Sequence, residues 1–216
     1  MDICLDPRDP AHANLRAALA VAFQGLLRGE EFAIDASAVW KAADRLTRAD
    51  LSELTVARLV MMMHPCKNMH HLKGKTVPLV IGAGGQFIDA VAEVTNMLNV
   101  DPAGSADPAS TPLFRDPSTG RSITKQGVHA LVKQLMAAVH ENPQHFGTHS
   151  LRIGGATALF AAGADPTVIR TMGRWSSDIY RLYVRACFER CCDWTARAGS
   201  TTVSDVAAEF DEVDSY

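Results

Sequence analysis

Two stretches decide how this chain is read: Thr148-His-Ser-Leu-Arg-Ile-Gly-Gly-Ala-Thr157 and, further on, Gly173-Arg-Trp-Ser-Ser-Asp-Ile-Tyr-Arg-Leu-Tyr-Val-Arg185. His149 and Arg152 are three residues apart, so at a helix start they project from one face. They pair a titratable imidazole with a planar, permanently charged fork suited to a phosphodiester. Trp175 adds a donor-only indole N–H, and Tyr180 and Tyr183 lie one helical turn apart. The pattern is a phosphate clamp beside a candidate nucleophile. A lone His-x-x-Arg is commonplace, a capping histidine and a surface arginine. Its weight here comes from the order His149, Arg152, Gly173, Trp175, Tyr183 along one short span.

Working outward, Ile123–Val139 and Ser150–Ala162 carry helical spacing, and Asp165-Pro166 supplies an N-cap followed by proline at the first helical position of a short helix to Met172. Ser177–Cys192 resumes apolar spacing. Near the N-terminus, apolar residues from Leu15 to Leu27 repeat at three and four, predicting a helix that ends near Arg28-Gly29. Ala57–His64 and Thr76–Gly82 read as two strands of a small sheet joined by a basic loop, 65–75, and Gln86–Leu98 as an amphipathic helix. The turn-rich run 101–112 reads as a loop, short for a linker. The expected class is mixed α/β, predominantly α-helical with a small antiparallel β-sheet.

With 216 residues, 47% hydrophobic and 21% charged, the chain has apolar content for a sizeable core, which excludes disorder as its dominant state. No long uninterrupted apolar run and no basic-then-apolar leader occur, so the expectation is a soluble, intracellular protein without membrane contact. Five cysteines, Cys4, Cys66, Cys187, Cys191 and Cys192, have no C-x-x-C spacing and encode neither a disulfide framework nor a zinc ribbon. The formal charge is −3, but five acids fall in residues 201–216, where there is no Lys or Arg. Residues 145–197 hold seven Arg against four acids, and local surplus governs phosphate binding more than net charge does. The composition therefore permits a DNA partner.

Taken together, these residues resemble the tyrosine recombinases, or phage-type integrases, which share their chemistry with type IB topoisomerases. The Gly-Arg-Trp-Ser-Ser pattern is most similar to recombinases of eukaryotic mobile elements. The family's first arginine lies in a G-L-R-x-x-E turn, matched by Gly25-Leu-Leu-Arg28-Gly-Glu-Glu31 with one extra Leu. The resemblance assigns catalytic roles to Arg28, Lys67, His149, Arg152, Trp175 and Tyr183, with Lys73 and Lys75 as competitors of Lys67, and Tyr180 as competitor of Tyr183. Glu31 reads as a structural partner of an arginine. It implies double-stranded DNA as partner, a homotetramer on DNA, no cofactor, and residence in the nucleus of a eukaryote or otherwise the cytoplasm or nucleoid.

The implied chemistry is transesterification. Two arginines neutralise the non-bridging oxygens, a Tyr hydroxyl attacks with His149 as candidate base, and Lys67 protonates the leaving 5′-oxygen. Since the bond energy stays in a 3′-phosphotyrosine, no nucleotide is needed, and Gly82-Ala-Gly-Gly85 lacks the Lys-Ser/Thr of a nucleotide loop. The expected layout is a catalytic domain over 1–198, an acidic tail over 199–216, and no N-terminal core-binding domain, since 27 residues precede Arg28. In the tail only Val203, Val206, Ala207 and Phe210 offer an apolar face. Alternatives from the same residues are a non-catalytic DNA-binding remnant and a DNA-relaxing activity. A third, a metal-dependent hydrolase using His64, His70 and His71, lacks acidic or Cys partners at ligand spacing.

Overall fold

The computed structural model describes residues 4–64, 76–104 and 106–175. Its centre is helix α1 (Pro10–Gln24), started by Asp9, whose side chain accepts from the His12 amide at 2.8 Å, with proline at N1. Ala13, Ala17, Ala18, Ala20 and Ala22 are all buried. Small side chains on every face let neighbours approach from several directions at once. A short helix α2 (Gly29–Phe32) follows, then a hairpin meander of β1 (Leu51–Leu54), β2 (Arg58–Met63) and β3 (Val77–Gly82), all antiparallel in that order. Beyond it come α3 (Ala90–Val100), α4 (Lys125–Ala138), α5 (Thr148–Ala161) and α6 (Pro166–Met172). The mixed, mainly helical class with a small antiparallel sheet is as the sequence predicts.

Strand β2 alternates as its period demands. Leu59, Met61 and Met63 point inward and are met on β3 by Leu79 and Ile81, with Met61 opposite Leu79 and Leu59 opposite Ile81. Fully burying one such side chain contributes roughly 1.5–3 kcal/mol. The sheet, α1, α3 and α4 share one cluster that also takes in Leu113 and Phe114. Run 101–112 thus connects two parts of a single core rather than linking domains. A second, smaller cluster of Leu26, Ala156, Ile169 and Trp175 seats α6 against α5 and the end of α1.

Several boundaries differ from the sequence expectation. Helix α1 ends at Gln24, not near Arg28, because Leu26 takes a left-handed φ of 51° and turns the chain. Gly25 caps the helix where an added Cβ would sit 2.8 Å from Leu79 Cδ2. Strand β1 was not foreseen: Leu51-Ser-Glu-Leu54 has no clean alternation of burial and its register slips between Leu51 and Glu53. Helix α3 starts at Ala90 rather than Gln86, where Asp89 accepts from the amides of Val91 and Ala92 at 3.0 and 3.1 Å. Helix α6 runs over the predicted Pro166–Met172, with the Asp165 side chain accepting from the Thr167 amide at 2.6 Å.

Candidate functional site

Three chain ends converge on one spot: the turn after α1, the first turn of α5 and the end of α6. Arg28 is the N-cap of α2, and its amide donates to Glu31 Oε2 at 2.6 Å, half of the reciprocal bonding that fixes helix starts. Its Nη1 reaches Glu31 Oε1 at 3.3 Å, and the side chain stays 21% exposed. His149 lies in the first turn of α5, where the Gly147 amide donates to Ser150 Oγ at 3.1 Å. Partial burial, then the positive fields of Arg152 and Arg28, hold its imidazole below the ordinary 6.5. It is therefore neutral at physiological pH, the state that accepts a proton.

Arg152 is the largest fully buried side chain among the described residues, at 1% exposure. Its Nη1 donates to the Leu26 carbonyl and its Nη2 to the Gly173 carbonyl at 2.5 Å. The Trp175 ring lies against the guanidinium, 4.1 Å from centroid to Cζ, a cation–π contact in a site largely out of water. One arginine thus ties the turn before Arg28 to the end of α6. The sequence presents Arg152 as a fork held toward a phosphate; the fold also makes it the internal strut of the site. Gly155 permits the assembly, since a Cβ there would lie 2.0 Å from the Phe23 carbonyl oxygen.

The structure brings together Arg28, His149, Arg152 and Trp175. Lys67 with Lys73 and Lys75, and Tyr183 with Tyr180, lie outside the described residues, as do His70, His71 and the acidic tail. His64 Nε2 meets Asp50 Oδ2 at 3.2 Å, and no group of three metal-ligating side chains occurs among the described residues. Sequence reading missed Arg174. Its Nη2 bonds Glu31 Oε2 at 2.7 Å and its Nε Glu31 Oε1 at 3.3 Å, while Nη1 donates to the Met172 carbonyl at 2.7 Å. Its only signal was a cationic residue wedged between Gly173 and Trp175. A groove of about 780 Å³, lined by Trp40, Ile34, Pro112 and Arg121 among others, includes none of the predicted site residues.

No protein-family model matches the sequence, and no curated protein matches it. Solved structures do. The XerH site-specific recombinase bound to palindromic difH substrate, in its post-cleavage complex, superposes with a TM-score of 0.61 at 16% identity, over 87% of this chain and 46% of that one. XerA recombinase gives 0.58 at 14%, over 88% and 63%. The Tn1549 transposon integrase in complex with transposon right end DNA gives 0.50 at 15%, over 96% and 61%. The chain has the tyrosine recombinase catalytic-domain fold, and it spans about half the length of XerH and under two thirds of the other two.

Proposed function

We propose that the chain is the catalytic part of a DNA recombinase or integrase that cleaves and rejoins double-stranded DNA through a 3′-phosphotyrosine. The observation that carries this is the meeting of Arg28, His149 and Arg152 at one end of α5, in a fold shared with site-specific recombinases. In this reading Arg28, and Arg152 behind it, balance the charge that grows on the phosphate oxygens, and preorganised positive charge of this kind is usually the largest catalytic term. The Tyr183 hydroxyl attacks phosphorus as its proton passes to neutral His149. The bond from phosphorus to the 5′-oxygen breaks, and Lys67 protonates that oxygen. Religation runs the same steps backwards. Four copies acting on two duplexes would complete strand exchange.

The burial of Arg152, with two of its donors on backbone carbonyls, favours a second reading: a DNA-binding remnant that retains the fold without cleavage. A nicked suicide duplex from a mixed-sequence pool separates the two. Wild type is expected to leave a covalent protein–DNA adduct on denaturing gels, absent in Tyr183→Phe and present in Tyr180→Phe. An adduct that persists in Tyr183→Phe overturns the nucleophile. Salt-dependent binding of intact DNA with no adduct from any variant selects the remnant.

A further inference from the structure

Arg174 occupies a backbone position that resists it. Helix α6 ends in a Schellman motif: the Trp175 amide donates to the Arg170 carbonyl and the Arg174 amide to the Thr171 carbonyl, both at 3.0 Å. The left-handed residue of that motif is usually glycine; here it is Arg174, with φ 54°. Glycine stands one position earlier, at Gly173, where a Cβ would fall 1.8 Å from the Trp175 ring. A non-glycine residue at positive φ is strained and persists only where its surroundings hold it. What holds Arg174 is Glu31, together with the carbonyls of Met172 at 2.7 Å and of Gly25 and Leu26 at 3.3 Å, all of which accept from its guanidinium. The pair of Arg174 and Glu31 is almost wholly buried, at 4% and 6% side-chain exposure, and bonded through two nitrogens and both oxygens.

Each Glu31 oxygen is shared. Oε2 accepts the Arg28 amide at 2.6 Å and Arg174 Nη2 at 2.7 Å; Oε1 accepts Arg28 Nη1 and Arg174 Nε, both at 3.3 Å. The carboxylate grips the Arg28 main chain tightly and its guanidinium loosely. A buried carboxylate needs a cation, and Arg174 supplies one from inside. We propose that Arg174 is a positioning residue for Arg28: it satisfies Glu31, so that Glu31 fixes the Arg28 backbone without cancelling the charge that Arg28 turns toward a phosphodiester. This rests on the recombinase reading for the role of Arg28. Without Arg174, Glu31 draws in the Arg28 guanidinium, and the group of three falls from one net positive charge to none.

Arg174→Gly is the informative variant, because glycine suits the φ and keeps the helix cap. Binding to a mixed-sequence duplex is expected to fall about tenfold near 0.1 M salt, with the slope of log K against log salt shallower by about one contact. Adding Glu31→Gln in that background restores both, since no carboxylate remains to capture Arg28. A merely structural Arg174 predicts the reverse, further loss in the double variant. The His149 imidazole, followed by NMR in the free protein, reads the same event without DNA: its pKa rises in Arg174→Gly and returns in the double variant. An Arg174→Gly protein with wild-type slope and wild-type His149 titration overturns the proposal, as does failure of Glu31→Gln to restore either. If the wild type forms no DNA adduct while His149 responds as stated, the recombinase reading fails and the Arg174 assignment stands.

Discussion

Leu26, His140 and Arg174 each take a left-handed φ at the end of a helix, at 51°, 62° and 54°, whereas α5 ends on Gly163 at 88°. At Leu26 the strained turn delivers a side chain into the small cluster with Ile169 and Trp175 and a carbonyl to Arg152. The turns at Leu26 and Arg174 are where the site is made. His149, beside them, yields a prediction at the same scale. Its pKa is lowered, by burial first and then by Arg152 and Arg28, so the folded chain binds fewer protons at this group than the unfolded chain does. The fold therefore carries no penalty from this group above the unfolded value near 6.5, and loses stability as pH falls from there through the lower folded value. A phosphate placed between the arginines has the opposite sign and pulls the pKa up. NMR titration of the His149 ring is expected to show a rise in Arg28→Gln and a rise in wild type on adding a short duplex. A ring that titrates identically with and without DNA places His149 away from the bound phosphate.

Helices α1 and α5 touch at a pair of adjacent glycines that differ in what they face. A Cβ on Gly154 meets only the edge of the Phe23 ring, at 3.0 Å, but one on Gly155 meets the Phe23 carbonyl oxygen at 2.0 Å and Leu26 Cδ2 at 2.6 Å. A ring edge yields; a backbone oxygen does not. Gly154→Ala is expected to stay within about 1 kcal/mol of wild type, gaining helix propensity against slight crowding. Gly155→Ala is expected to lose about 2 kcal/mol or more by forcing the helices apart, and with them Arg152 from the Leu26 carbonyl. Urea unfolding of both checks this; equal midpoints would mean that the approach at Gly155 is not tight. The same contrast explains what the sequence could tell. Asp165-Pro166 located α6 to the residue because cap and proline chemistry are local, and His149 and Arg152 were legible because a helix start puts them on one face. The end of α1 was misplaced because Leu26 supplies the turn with no glycine to mark it. Arg174 and the internal half of Arg152's role were hidden because their partners, Glu31, Leu26 and Gly173, are distant in sequence or are backbone carbonyls, which no residue pattern encodes.

On the scale of the molecule, the candidate site sits on a helix that is tied elsewhere along its length. Asp101, at the end of α3, is 5% exposed and collects Asn14 Nδ2 from α1 at 2.9 Å, Arg48 Nη2 at 2.9 Å, and Arg115 through Nε at 2.9 Å and through Nη2. Arg16 on α1 adds a bidentate clasp to Glu93 on α3, at 2.9 and 2.5 Å. Together they hold α3 and the segment leading to α4 against α1, from which the turn at Leu26 leads to Arg28. Burial pushes the Asp101 carboxyl up, but hydrogen bonds from Arg115 and Asn14 and the charges of Arg48 and Arg115 outweigh it and hold its pKa at about 2. A carboxylate with a depressed folded pKa stabilises the fold above its unfolded value near 3.8 and loses that contribution as pH falls toward 2, an effect of about 2 kcal/mol. Asp101→Asn cannot titrate and leaves two guanidiniums facing a neutral amide, so it is expected to cost about 3 kcal/mol at neutral pH. The gap between wild type and Asp101→Asn should therefore narrow steadily between pH 4 and pH 2, as wild type gives up what the variant never had. Urea midpoints of the two proteins across that range decide it: a gap that stays constant with pH would mean that Asp101 is held by packing alone and that its ion pairs do not tie α1 to α3.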